Sequence, residues 1–215
     1  MTRAASASSA VRPYVPYSQV PFGLTFNDTQ GGKRIHPFLR EDLCIQVVNK
    51  TLVPGALINV ARCLNNSAPL PAQRNLFNLT TLNVTSNYTG LIAPANQTEL
   101  CLSGKWHIPK NATDYATRAD REISLQKCNA TDPKQMWRYG VDARVVNGTG
   151  RAYKLSLNNQ EQCATVLREQ LGSVTTLVLS MMPCLSSVGS QLLVVVNGTS
   201  TPREKLPDIP LPGWN

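Results

Sequence analysis

The chain has 215 residues and carries 21 Lys+Arg against 13 Asp+Glu, a formal net charge of +8. Hydrophobic residues make up 42% and charged residues only 16%, which excludes a disordered charged chain and leaves enough apolar side chain for a real core. No apolar run reaches the length of a membrane-spanning helix, and the longest, such as Leu192 to Val196, have strand length.

Residues 1–38 hold Pro13, Pro16, Pro21 and Pro37, with Tyr14, Tyr17, Phe22 and Phe26 among them. Proline density of this kind favours extended chain, here with aromatic anchors. From residue 39 the pattern changes to short apolar runs. The first group is Leu43-Cys44-Ile45, then Leu57-Ile58-Asn59-Val60-Ala61-Arg62-Cys63, then Gln73-Arg74-Asn75-Leu76-Phe77. The second is Leu100-Cys101-Leu102, then Ile123-Ser124-Leu125-Gln126-Lys127-Cys128, then Gln135-Met136-Trp137-Arg138-Tyr139. The third is Gln162-Cys163-Ala164, then Leu177-Val178-Leu179-Ser180-Met181-Met182-Pro183-Cys184, then Gln191-Leu192-Leu193-Val194. Ile58/Val60 and Ile123/Leu125 alternate with polar residues, the period of half-buried strands. Pro54-Gly55, Pro69 to Pro71, Gly104, Pro133, Asn147-Gly148 and Asn197-Gly198 mark the breaks. Residues 158–172 also fit a helix with Ala164, Leu167 and Leu171 on one face, but their place in the repeat makes them strand. Residues 201–215 form a second proline-rich tail, which carries Trp214. Three repeats of short strands close best as a barrel, because closure removes exposed edges.

Two further patterns point to the secretory pathway. The glycosylation acceptor N-x-[ST] occurs eleven times, at Asn27, Asn49, Asn65, Asn78, Asn83, Asn87, Asn96, Asn111, Asn129, Asn147 and Asn197. With 17 Asn and 33 Ser+Thr, chance gives roughly 2.6 such sites. Covalent N-glycans also account for the low charge, since sugar can solubilise the surface. The six cysteines, Cys44, Cys63, Cys101, Cys128, Cys163 and Cys184, contain no C-x-x-C, and only two His are present. That spacing points to three disulfides rather than zinc, with 15 possible pairings. The first twenty residues lack the apolar stretch of a signal peptide, so a secreted chain is expected to have lost its signal or to start elsewhere than at Met1.

Three units of about 60 residues, each with two cysteines and a downstream Gln cluster, resemble ricin-type lectin domains. Gln135-Met136-Trp137 is a full match to that family's Q-x-W signature, while Gln73…Phe77 and Gln191-Leu192-Leu193 are degenerate. The resemblance implies an all-β fold, a β-trefoil over residues 39–200, flanked by tails 1–38 and 201–215. It implies the pairings Cys44–Cys63, Cys101–Cys128 and Cys163–Cys184. It also implies one shallow sugar pocket per unit, with an Asp two residues after the first Cys, an aromatic just before the second, and an Asn before the Gln. An ionised acceptor reads hydroxyls and a flat ring takes the apolar sugar face.

This sequence departs at all nine positions. Gln46, Ser103 and Thr165 stand for the Asp; Ala61, Gln126 and Met182 for the aromatic; Ala72, Lys134 and Ser190 for the Asn. The long loop of the second unit offers Trp106, His107 and Tyr115 as a divergent alternative. No G-x-S-x-G, H-E-x-x-H or Gly-rich phosphate loop occurs, so no enzyme, cofactor or metal is expected. The basic residues are scattered, which argues against nucleic acid. Lys33, Arg34 and Arg138 remain as contacts for an anionic surface. The sequence therefore predicts a secreted, N-glycosylated, non-catalytic lectin-like module. Its expected role is structural or adhesive, in an extracellular matrix, surface or filament, with self-assembly through its tails. The alternative is an active lectin, binding extracellular glycans or glycoproteins through the second unit.

Overall fold

The computed structural model describes residues 32–38, 40, 43–48, 51–63, 74–79, 88–95, 97–106, 119–140, 144–146, 150–158, 161–171, 174–185 and 189–197. Among them there is no α-helix. Residues 158–172, which also fitted a helix, are strand over Gln162–Leu171. The expected tails lie outside the described residues, except at the end of the first.

Six strand paths form a closed ring. Strand β1 (Lys33–Pro37) pairs with β4 (Phe77–Asn78), and β4 with β6 (Ala93–Pro94). The short β5 (Tyr88–Gly90) precedes β6 along the same path and pairs with β9 (Trp137–Tyr139). Strand β9 pairs with β11 (Gly150–Leu157), β11 with β14 (Leu192–Asn197), and β14 returns to β1. All these pairings are antiparallel. Strand β10 (Arg144–Val146) adds to β11 from outside the ring.

Three hairpins complete the three units. They are β2 (Leu43–Val47) with β3 (Ile58–Arg62), β7 (Leu100–Gly104) with β8 (Ile123–Lys127), and β12 (Gln162–Leu171) with β13 (Val174–Pro183). Their registers are the same. In each, the first Cys lies opposite the residue two before the second: Cys44↔Ala61, Cys101↔Gln126, Cys163↔Met182. Disulfides Cys44–Cys63, Cys101–Cys128 and Cys163–Cys184 close the hairpins, the pairings that the family resemblance implies. In the chain-entropy model each loop closure stabilises by roughly 3 kcal/mol. A closed six-path barrel with three equivalent capping hairpins is a β-trefoil.

The shared register stacks the core in threes. Ile45, Leu102 and Ala164 follow the first cysteines and are fully buried. Opposite them stand Val60, Leu125 and Met181, also buried. A third layer holds Phe77, Trp137 and Leu193, each at 0% exposure. One compensation explains a residue that looked like a simple chain breaker. Val47 and Val166 have Gly104 as their counterpart in the second unit. A Cβ there would lie 2.9 Å from Met181 Sδ and 3.1 Å from Trp137 Cη2. Trp137 is larger than Phe77 or Leu193, and the missing side chain makes room for it. Its indole Nε1 donates to Leu102 O at 2.9 Å, so the buried N–H is satisfied.

The hairpins also meet around the threefold axis. Leu57 of the first bridges Ser124 of the second, and Glu122 of the second bridges Ser180 of the third. At the third junction a side chain takes over: Asn59 Oδ1 accepts from Leu179 N.

Residues 33–37, expected in the N-terminal tail, are strand β1, paired with β14 along their whole length. Four of the five are buried. Arg34 is 1% exposed and His36 4%, so the guanidinium expected to face an anionic surface is buried, on the face of β1 opposite the core residue Ile35.

Candidate functional site

The positions that would face a sugar can now be located in each unit. Gln46, Ser103 and Thr165 sit on the first hairpin strand, opposite Asn59, Ser124 and Ser180. They are 8%, 6% and 4% exposed. Thr165 Oγ1 is engaged locally, donating to Cys163 O at 3.1 Å and accepting from Gln191 Nε2 at 3.1 Å. Reading sugar hydroxyls requires a strong acceptor at the surface, and these three side chains are neutral and buried. Across the hairpin, Ala61 is exposed and offers only a methyl group. Gln126 donates to Ser124 Oγ, and Met182 Sδ accepts from an Arg121 guanidinium N–H. No aromatic platform stands at any of the three.

The Gln of the second and third clusters has a structural task. Gln135 Nε2 donates to Lys127 O at 3.0 Å, and its Oε1 accepts from Asn129 N at 2.9 Å. Gln191 does the same, to Pro183 O at 2.8 Å and from Leu185 N at 2.8 Å. Each amide thus clamps the two residues that flank the second cysteine. Both glutamines are buried, at 2% and 1%, where a satisfied amide is cheap and an unsatisfied one costly.

In the first unit the equivalent is not Gln73, which lies outside the described residues along with Ala72. Gln135 and Gln191 stand two residues before Trp137 and Leu193. Asn75 stands two before Phe77 and is 0% exposed. The aligned triplet is therefore Asn75-Leu76-Phe77. The signal was the fully apolar Phe77, which marks the core position independently of the polar residue before it.

The second unit contains the one aromatic of the divergent set that the structure describes. Trp106 is half-buried and packs against the core. Lys134 Nζ stands over its ring, 5.8 Å from the centroid, a cation–π contact of about 0.5–1 kcal/mol at an exposed site. Lys134 O also accepts from Gly104 N at 2.8 Å, which ties the turn to the loop stem. Next to it, Lys105 Nζ lies 3.4 Å from Glu122 Oε2. His107 and Tyr115 lie outside the described residues.

One cluster has metal-ligand chemistry in its residue types. His36, Cys44 and Cys63 bring their ligand atoms within 4.8 Å of one another, all buried. The two sulfurs are joined to each other, so neither is a thiolate ligand. The imidazole Nδ1 lies 2.8 Å from Leu43 O and 3.7–3.8 Å from the sulfurs, and packs β1 onto the first hairpin. On the threefold axis the hairpins leave a cleft of about 20 Å³, lined by Leu57, Asn59, Glu122 and Val178 among others. That is room for one water, not a sugar ring.

No protein-family model matches the chain, and no curated protein matches it. Among solved structures, it is similar to the earthworm lectin C-terminal domain mutant in complex with 6'-sialyllactose. Identity there is 12%, over 78% of this chain and 98% of that one, with a TM-score of 0.49. The earthworm R-type lectin C-half in complex with GalNAc gives 11% identity, 78% and 98% coverage and a TM-score of 0.47. The S. cerevisiae protein O-mannosyltransferase Pmt1-Pmt2 complex bound to the sugar donor gives 11% identity and a TM-score of 0.51, over 83% of this chain and 26% of that one. The likeness is one of fold. With the closed ring and three stapled hairpins, the chain has a β-trefoil fold.

Proposed function

We propose that this chain is a secreted, N-glycosylated, non-catalytic module in which a lectin fold serves as a scaffold for extracellular assembly. The observation that carries the reading is the fate of Gln46, Ser103 and Thr165. In all three units the position for a sugar-reading carboxylate holds a neutral residue, buried to 8% exposure or less. The hydrogen bonds that remain at these sites, above all the Gln135 and Gln191 clamps, hold the hairpins together rather than present polar atoms to solvent. Eleven sequons and three disulfides support passage through an oxidising compartment. The connectors are the proline-rich segments that precede β1 and follow β14 in sequence, residues 1–32 once β1 is counted with the fold, and 201–215. Deleting both should change the oligomeric state measured by light scattering; an unchanged state would sink the assembly role.

One observation favours a second reading. Trp106 is partly exposed and carries a lysine over its ring, a pairing that suits a sugar with an anionic group. A glycan array with the native glycoprotein and Trp106→Ala separates the two. The scaffold reading expects no specific binding by either protein. Binding that is lost in Trp106→Ala would make the chain a lectin with a divergent pocket in its second unit.

A further inference from the structure

We propose that Asn129 carries an N-linked glycan in the folded protein and that Asn78, also a sequon, does not; the proposal rests on the secretory reading above. Both side chains are described, and their settings are opposite. Asn129 is exposed, as are Ala130 and Thr131. The three lead a β-turn, closed by Asp132 N donating to Asn129 O at 3.1 Å. The Asn129 backbone N–H is held by the Gln135 clamp. Its Oδ1 accepts from Thr131 N at 3.0 Å and Thr131 Oγ1 at 2.7 Å. Those bonds fix the carbonyl end of the amide, and Nδ2 meets no hydrogen-bond acceptor among the described residues. A sugar on Nδ2 leaves every one of these bonds intact.

Asn78 lies on barrel strand β4, half-buried, between Phe77 at 0% and Leu79 at 2% exposure. It pairs with Ala93 of β6, and its Nδ2 donates to Ala95 O at 3.3 Å. One amide hydrogen is thus in use, and a sugar in place of the other would press on the β4–β6 ladder. A chain modified there competes with its own barrel closure.

The transfer is balanced in the ordinary way for this linkage. Asn129 Nδ2 attacks C1 of an oligosaccharide carried on a polyprenyl diphosphate. A C–N bond forms, the C1–O bond breaks, the diphosphate leaves with the electron pair, and Nδ2 gives one proton to a base.

The test is glycopeptide mass spectrometry of the full chain, secreted by a eukaryotic host and shown to be folded. The expected result is sugar on Asn129 in most molecules and a bare Asn78. Thr131→Ala should remove one glycan's mass, and Asn78→Gln should remove none. Ala130→Pro is a second variant that breaks the sequon, and it suits the fold because position two of a β-turn favours proline. Sugar on Asn78 in folded protein, or a bare Asn129 beside other occupied sequons, overturns the proposal alone. Sugar at no sequon overturns it together with the secretory reading.

Discussion

Asn59 Oδ1 accepts two backbone N–H groups, from Val60 at 2.9 Å and from Leu179 at 3.0 Å. The second partner is 120 residues away, in the last of the three hairpins. Elsewhere the hairpins join through backbone bridges, Leu57↔Ser124 and Glu122↔Ser180. One side-chain oxygen therefore closes the ring of junctions between the first unit and the third. Val60 and Leu179 are both 5% exposed, so their amides have little access to water if this acceptor is lost. Asn59→Ala should destabilise by about 1–3 kcal/mol, the cost of unsatisfied buried donors. Asn59→Asp keeps the acceptor and should recover most of the loss. The guanidinium unfolding midpoint of the two variants checks this.

The clamps make a parallel case. Gln135→Ala removes one donated and one accepted hydrogen bond beside a disulfide, and Gln191→Ala removes the same pair and the bond donated to Thr165 Oγ1. Each should cost about 2 kcal/mol, within the range for breaking buried hydrogen bonds. Comparable losses at the two sites, read from unfolding midpoints, with the larger at Gln191 for its extra bond to Thr165, would show that the clamp does the same task in both units. A loss at one site only would show that the repeat is formal.

Gly104 and Trp137 should be coupled. Gly104→Val alone drives a side chain into Met181 and Trp137 and should cost about 1–3 kcal/mol. Trp137→Leu alone opens a cavity and should cost about as much or more. Together they restore the residue types of the third unit, Val166 and Leu193, so the double variant should be clearly more stable than the sum of the single effects implies. A double-mutant cycle on unfolding free energies measures that coupling.

Removal of a disulfide, for example Cys163→Ala with Cys184→Ala, should lower stability by roughly 3 kcal/mol while the hairpin register persists. The ten-rung β12–β13 ladder should keep its amide protection. Hydrogen exchange that collapses along the whole ladder would show that the staple, not the strand pairing, holds this unit.

The repeat was legible because its markers are rare residues in fixed register. Two cysteines per unit mark the same rungs of the same hairpin, and in the second and third units a buried glutamine holds the residues beside the second cysteine. What escaped was whatever depends on neighbours remote in sequence. Lys33-Arg34-Ile35-His36-Pro37 reads as polar, and only the β14 partner and the buried setting of Arg34 and His36 turn it into a barrel strand. Asn75 hid behind Gln73, since the buried position two residues before the core side chain holds no glutamine in the first unit. Gly104 looked like a breaker because its reason is the bulk of Trp137, 33 positions later. Trp106 gave no sign of the lysine lying across it.

Strands β1 and β14 run antiparallel, with Lys33 opposite Asn197 and Pro37 opposite Leu193. The chain therefore enters and leaves the barrel at the same rung. A load applied through both flanking segments would act across that ladder and peel it one rung at a time from Lys33/Asn197 inward, rather than shear all rungs together. Within a tethered array that ladder would open before the three hairpins, each of which is closed by a disulfide.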